Sequence, residues 1–306
     1  MSDDTKDAVV DPDLINPDPF CPVRLTPIRN RGRVTDKYMI ELQRPDSSEW
    51  ADIAGVRAVH TANYRLVTNQ QVHTMAAGVM AQTGLTFEPV PTWGNGQSKS
   101  LLWNGRHYLE RWYTPDVKVA TPHGSEIMLG LEVRNSYDGA CKVGLAFFAM
   151  HCACGNQFYG DNILGQPYNF SHIGQSGELN GDIAGALNEL QGKAEAFGRI
   201  VPTIRALTEA RFGSIEDFLN LRRRLTTTTG LEFRDRQILD ELDGRGVTSK
   251  LGIAVGKSYG SPDSLWALAN AFTAVTTHAV GGLRGQDQSG RAVDFLVSEA
   301  KKRIAA

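Results

Sequence analysis

The chain has 306 residues, of which 41% are hydrophobic and 22% charged, and its formal net charge is −2. Such a chain is long enough to bury a sizeable core as one large domain or two smaller ones, and its near-neutral balance excludes a globally basic nucleic-acid or membrane binder, although a bulk value can hide a local patch. No apolar run approaches a membrane span, the acidic start MSDDTKDAVVDPD is no secretory signal, and four cysteines in that setting read as reduced thiols of a soluble cytoplasmic protein.

The first twenty residues set six aspartates against Lys6 alone and carry Pro12, Pro17 and Pro19, the composition of a flexible acidic tail. The sign then flips. Between Cys21 and Arg44 the bases Arg24, Arg29, Arg31, Arg33, Lys37 and Arg44 face only Asp36 and Glu41. Residues 1–59 therefore read as an acidic tail followed by a basic arm, suited either to solvent or to phosphate or a neighbouring subunit.

Residues 60–212 read as an α+β core. Asn69 is expected to cap a helix that turns Val72, Met75, Ala76, Val79 and Met80 to one side and stops at Gly84. Asn104-Gly105 predicts a two-residue hairpin between Lys99–Trp103 and Arg106–Tyr113. Ile127, Leu129, Leu131 and Val133 alternate with more polar residues, a half-buried strand, and Asp138-Gly139 turns the chain into a second one from Cys141 to Phe148. Gly130 and Gly144 fall on the second face, where something is expected to approach the sheet closely.

From Gly177 the period becomes helical. Ile183, Leu187, Leu190, Ala194, Phe197, Val201 and Ile204 predict one long helix toward Phe212, which Pro202 should kink or split. Residues 213–306 read as a helical region. Ser214 with Asp217 caps a helix through Leu225, and Thr226–Gly230 breaks it. Further helices are expected at Glu232–Leu242, at Asp263–Ala279 with Ser261 as cap, and at Arg291–Ile304. The fold class is thus α+β, an antiparallel sheet packed by a long helix and followed by C-terminal helices.

Motifs that would announce chemistry fall short. Gly252–Ser258 imitates a phosphate-binding loop, but it has three residues between its glycines where four are needed. His151-Cys152-Ala153-Cys154, with Cys141 and His172 nearby, lacks the second paired knuckle of structural zinc, and strand-end cysteines are more often buried thiols. Nucleophile-elbow and His-Glu-x-x-His patterns are absent. No catalytic residue, cofactor or metal is assigned.

Bases and aromatics do interleave from Trp93 through Tyr113, a mixture suited to stacking bases while holding phosphates. Against this, strand aromatics are usually core, and Trp103 and Trp112 fit that role. The phosphate contacts assigned are Arg29, Arg31 and Arg33 in the arm, Lys99, Arg106 and Arg111 in the hairpin, and Arg134 and Lys142 beside the Asp138-Gly139 turn.

Five stretches together resemble a phage- and plasmid-related family catalogued as domain of unknown function 932. They are Asn63–Asn69, Arg134–Gly139 (with Tyr137 where the family has histidine), His151–Asn156 (with His151 where it has arginine), Ser171-His172, and Leu265–Ala271 followed by Thr277-His278. The family has no settled activity. Its mobile-element setting implies nucleic-acid processing, and the element order is similar to that of ring-forming single-strand annealing proteins. The leading expectation is a non-catalytic protein that binds single-stranded DNA as a homo-oligomer, a ring or filament, in recombination or annealing, and that binds no membrane. The alternatives are a metal- or thiol-dependent enzyme around Cys152, Cys154 and His172, or a structural or host-interaction protein.

Overall fold

A computed structural model describes residues 18–30, 33–44, 48–52, 60–61, 66–91, 101–169, 178–253 and 259–305. The acidic tail up to residue 17, Arg31, Asn63–Arg65, Trp93, Lys99, Ser171-His172 and most of the phosphate-loop look-alike lie outside these residues.

The basic arm is a β-hairpin. Strands β1 (Val23–Asn30) and β2 (Arg33–Gln43) pair antiparallel from Val23↔Leu42 to Asn30↔Arg33. Short strands β3 (Trp50–Asp52) and β4 (His60–Thr61) join only the part of β2 from Lys37 onward. Ile40 and Leu42 alternate inward and, with Cys21, pack on Tyr137, which seats the base of the ribbon on the end of the main sheet.

Helix α1 (Asn69–Thr83) begins one residue earlier than the sequence suggests, and its cap is Thr68. The Thr68 hydroxyl accepts from the Gln71 amide at 3.2 Å and the Gln71 side chain accepts from the Thr68 amide at 2.8 Å, a reciprocal capping box. Asn69 is thereby released for tertiary work. Its side chain donates to Pro19 O at 2.8 Å and accepts from Asn135 at 2.8 Å. Gly84 ends the helix with φ of 73°.

The main sheet comprises β5 (Glu88–Pro89), β6 (Leu101–Trp103), β7 (His107–Ala120), β8 (Glu126–Ser136), β9 (Gly144–His151), β10 (Gln157–Phe158) and β11 (Tyr168–Asn169). Its order is β10-β9-β8-β7-β5, with β6 on β7 and β11 on β9, and every pairing is antiparallel. A hairpin turns at Asn104-Gly105, with Gly105 at φ of 81°, but Trp103 pairs with Tyr108, so the loop is the four residues 104–107 and not the two expected. The β7–β8 register slips between Thr114 and Lys118, which leaves Pro115–Val117 as a bulge.

The strands are not half-buried. Every residue of β9 is buried, because the second face is filled from within the chain. A side chain at Gly130 would collide with the Phe148 ring, and one at Gly144 would stand 2.6 Å from Tyr168 O. The close approach at the glycines is therefore intramolecular.

The helical run is split as Pro202 predicts. Helix α2 (Glu178–Ala196) passes through a 3-10 turn at Phe197–Arg199 into α3 (Ile200–Glu209), where Pro202 lies in the first turn and its missing amide costs no hydrogen bond. Helix α4 (Ile215–Thr229) is capped by Ser214 but runs on through the threonines. Thr228 and Thr229 bond the carbonyls four residues back, and the break is Gly230 alone, at φ of 67°. There follow α5 (Asp235–Leu242), α6 (Val247–Lys250), α7 (Leu265–Ala274), a π-helical turn at Val275–Val280, and α8 (Gly282–Ala305). The cap of α7 is Ser264, whose hydroxyl accepts from the Ala267 amide at 3.1 Å, while Ser261 donates its hydroxyl to Asp263 and accepts from Ser264 at its carbonyl. Helix α8 starts well before Arg291 because Gln286, Gln288 and Ser289 are buried polar residues that hide its apolar period.

The fold is α+β, an antiparallel sheet with a C-terminal helical region. One cluster of buried apolar residues runs from Val67 to Ala300, so the core is continuous across residue 212. Among the described residues, no helix is long and apolar enough to cross a membrane.

Candidate nucleic-acid interface

The ribbon owes its shape to alternation. Leu25, Ile40 and Leu42 face the base cluster, which leaves Arg24, Thr26 and Glu41 on the open face. There Arg24 pairs with its cross-strand neighbour Glu41 at 2.7 Å and lies 4.2 Å from the centre of the Trp50 ring. Although burial pushes it the other way, the Thr26 hydroxyl and Arg24 together hold the Glu41 carboxyl below its ordinary range. Beyond Lys37 the two strands pair with no third strand among the described residues, and Arg33 and Val34 are exposed at the tip. The backbone register sets Arg29 opposite Val34 and Asn30 opposite Arg33, with Arg31 between them in sequence.

Three more of the expected bases gather at the end of the main sheet on which the ribbon sits. Arg106 follows the hairpin turn, and its carbonyl accepts from the Tyr137 amide at 2.9 Å. Arg134 lies opposite Gly144 and donates to Asn169 at 3.0 Å, and Lys142 is exposed in the turn between β8 and β9. Asp138, in the same turn, is held low by His107 at 2.8 Å and by the Ala140 amide, in spite of its burial.

Arg111 does not belong to this surface. It is 3% exposed and its Nε donates to Glu132 at 2.6 Å, a carboxylate that is itself fully buried. Tyr159 also donates to Glu132, at 3.3 Å, and accepts from Gln286 of α8 at 3.2 Å. Tyr159 and α8 close over this part of the second sheet face, so a cationic residue there becomes half of an internal ion pair with nothing left for phosphate. The aromatics of β6 and β7 are spent in packing. Tyr108 and Trp112 are buried, and Trp103 is half-buried against Tyr137.

The histidine and cysteine segment is core. His151 Nδ1 stands 3.0 Å from Cys154 Sγ and Nε2 stands 2.7 Å from the Ser125 hydroxyl. Burial lowers His151 to about 4 and drives the Cys154 thiol far up, while half-buried Cys152 is pushed to about 11 by the same desolvation. A reactive pair needs a thiolate stabilised by an imidazolium, and here burial disfavours both charges. Among the described residues, no three histidine, cysteine or carboxylate side chains are grouped to hold a metal ion.

A second concentration of bases and an exposed aromatic escaped sequence reading. Phe233 is 64% exposed, with the guanidinium carbons of Arg234 and Arg284 at 5.2 and 5.5 Å from its ring centre. Phe233 reads as an apolar position at the start of a helix, and Arg284 belongs to a part of α8 whose period is hidden, so no local signal joins them.

No protein-family model matches the chain, and neither the curated proteins nor the solved structures yield a significant match.

Proposed function

We propose that the protein is a non-catalytic DNA-binding protein that holds single-stranded DNA on the β1–β2 ribbon, as an accessory of recombination or strand annealing in a phage or plasmid. The observation that carries this reading is the end of the ribbon, where Arg29 pairs with Val34 and Asn30 with Arg33, so that the backbone sets Arg29 and Arg33 at the end of a two-stranded arm, with Arg31 between them in sequence. Three arginines within five residues of sequence concentrate positive charge on this arm, and phosphates would neutralise it while releasing counterions. Arg106, Arg134 and Lys142 at the base of the ribbon extend the same surface.

The resemblance to mobile-element proteins supports the setting. Self-assembly into a ring or filament is part of the same reading, but its support is narrower than the sequence suggests. Phe148 and Tyr168 already occupy the glycine face, so what remains is the N-terminal segment.

The test is fluorescence anisotropy with labelled single-stranded and duplex oligonucleotides across a salt series. Single-strand affinity is expected to fall steeply with salt, and exchanging Arg29, Arg31 and Arg33 for glutamine should flatten the logarithmic slope by about 2, at about 0.7 per lost phosphate contact. A protein that binds no DNA at low salt overturns the proposal.

A further inference from the structure

A charged ribbon grips either form of DNA, and what would select a single strand is a place for an unpaired base. We infer that the corner formed by Phe233, Arg234 and Arg284, with the cavity beside it, is a base-binding site for single-stranded DNA. The inference rests on the DNA-binding reading and assigns its strand preference to a region remote in sequence from the ribbon.

Three observations converge on this corner. The first is Phe233 itself, in the 3-10 turn Glu232–Arg234 between α4 and α5, an apolar ring left open to solvent. The second is its flanking charge. Arg234 precedes α5 and Arg284 lies in the first turn of α8, so two separate elements bring a guanidinium within cation–π range of one ring. Among the described residues, no carboxylate forms an ion pair with either arginine. Arg234 is held by Gln237 at 2.8 Å through one terminal nitrogen, while its buried Nε has no partner.

The third is a cavity of about 330 Å³ that shares Arg234 as a wall and is also lined by Gln237, Asp240, Lys250 and His278. His278 sits in the π-helical turn and is 3% exposed. Its Nε2 lies 3.0 Å from Cys154 O and 3.1 Å from Asn156 Oδ1. Both are oxygen acceptors, so the proton is on Nε2 and Nδ1 carries a bare lone pair. That lone pair has no partner. A buried acceptor without a donor costs free energy, and a π-turn is a frequent device for presenting such a group to a ligand.

The chemistry these groups would recognise is that of a nucleotide in an unpaired strand. A flat base stacks on Phe233, the guanidiniums of Arg234 and Arg284 and the ammonium of Lys250 meet the phosphates on either side, and an adjacent base offers an N–H edge toward His278. A duplex cannot comply, because its bases are already stacked and their edges paired.

The experiment compares the full-length protein with Phe233→Ala and Phe233→Trp against a labelled oligothymidylate and a duplex of equal length. Phe233 is largely solvent-exposed, so both variants are expected to fold, and circular dichroism checks that they do. Phe233→Ala should weaken single-strand binding roughly tenfold or more and leave duplex binding unchanged, while Phe233→Trp restores the preference. Photocrosslinking with 5-iodouracil in the strand should place the modified peptide at Phe233. Equal single-strand affinity in Phe233→Ala and the parent overturns the corner and leaves the ribbon standing. Absence of all DNA binding in the parent overturns both.

Discussion

Acid should unfold this protein earlier than its carboxylates require. His151 and His278 pack against the same segment, Cys154–Asn156, and burial holds each near 4, where a free imidazole titrates at 6.5. Between those limits the unfolded chain binds two protons that the folded chain refuses, so stability falls as pH drops through the window. The gap is worth about 3 kcal/mol per ring at most, and two rings approach the whole net stability of an ordinary domain. Carboxylates held low, such as Asp217 at about 2 through its ion pair with Arg303, add their loss only below the ordinary carboxylate range. The interval from about pH 6.5 to pH 5 therefore belongs to the histidines. Urea titrations followed by circular dichroism across it should show stability falling by up to about 2.7 kcal/mol per pH unit, and by about half that in His278→Gln. Stability that stays flat across this interval would refute the placement of both rings.

Two further perturbations probe the second sheet face. Gly130→Ala drives a methyl group into the Phe148 ring and should cost about 1–3 kcal/mol in thermal or urea unfolding, recovered in part by adding Phe148→Leu. Arg111→Ala strands the Glu132 carboxylate in the core and should cost about 3–5 kcal/mol, whereas Arg111→Met with Glu132→Leu should cost less. DNA affinity per folded molecule should be the same in Arg111→Ala as in the parent, and a selective loss would return Arg111 to the interface.

The elements were legible where local chemistry alone decides them. Gly84, Ser214 and the Pro202 break each need only a few adjacent residues to be read, and each appears in the fold, while Asn104-Gly105 marks a turn whose loop is two residues longer than expected. Reading failed where a distant part of the chain intervened. Asn69 has the chemistry of a cap, but it is claimed by Pro19 and Asn135, and Thr68 takes the cap. Arg111 has the chemistry of a phosphate ligand, but α8 and Tyr159 close over it, and nothing near it in sequence announces that roof. The ribbon stands between these cases. Its charge was evident and its strand pairing was not, because Asn30–Arg33 lacks a strong turn pair such as Asn-Gly.

The bulge at Pro115 bears on how copies of this chain meet. Past Thr114, β7 has β8 on one side and, among the described residues, no strand on the other. Such a free margin is where two molecules zip together through their backbones, the first step toward intractable aggregates. Here Pro115 withdraws an amide, the extra residues throw the margin out of line, and Asp116 and Lys118 stand exposed along it. A second molecule laid there would find a bent and charged template, so this margin resists sheet-to-sheet growth, and orderly assembly is directed to another surface.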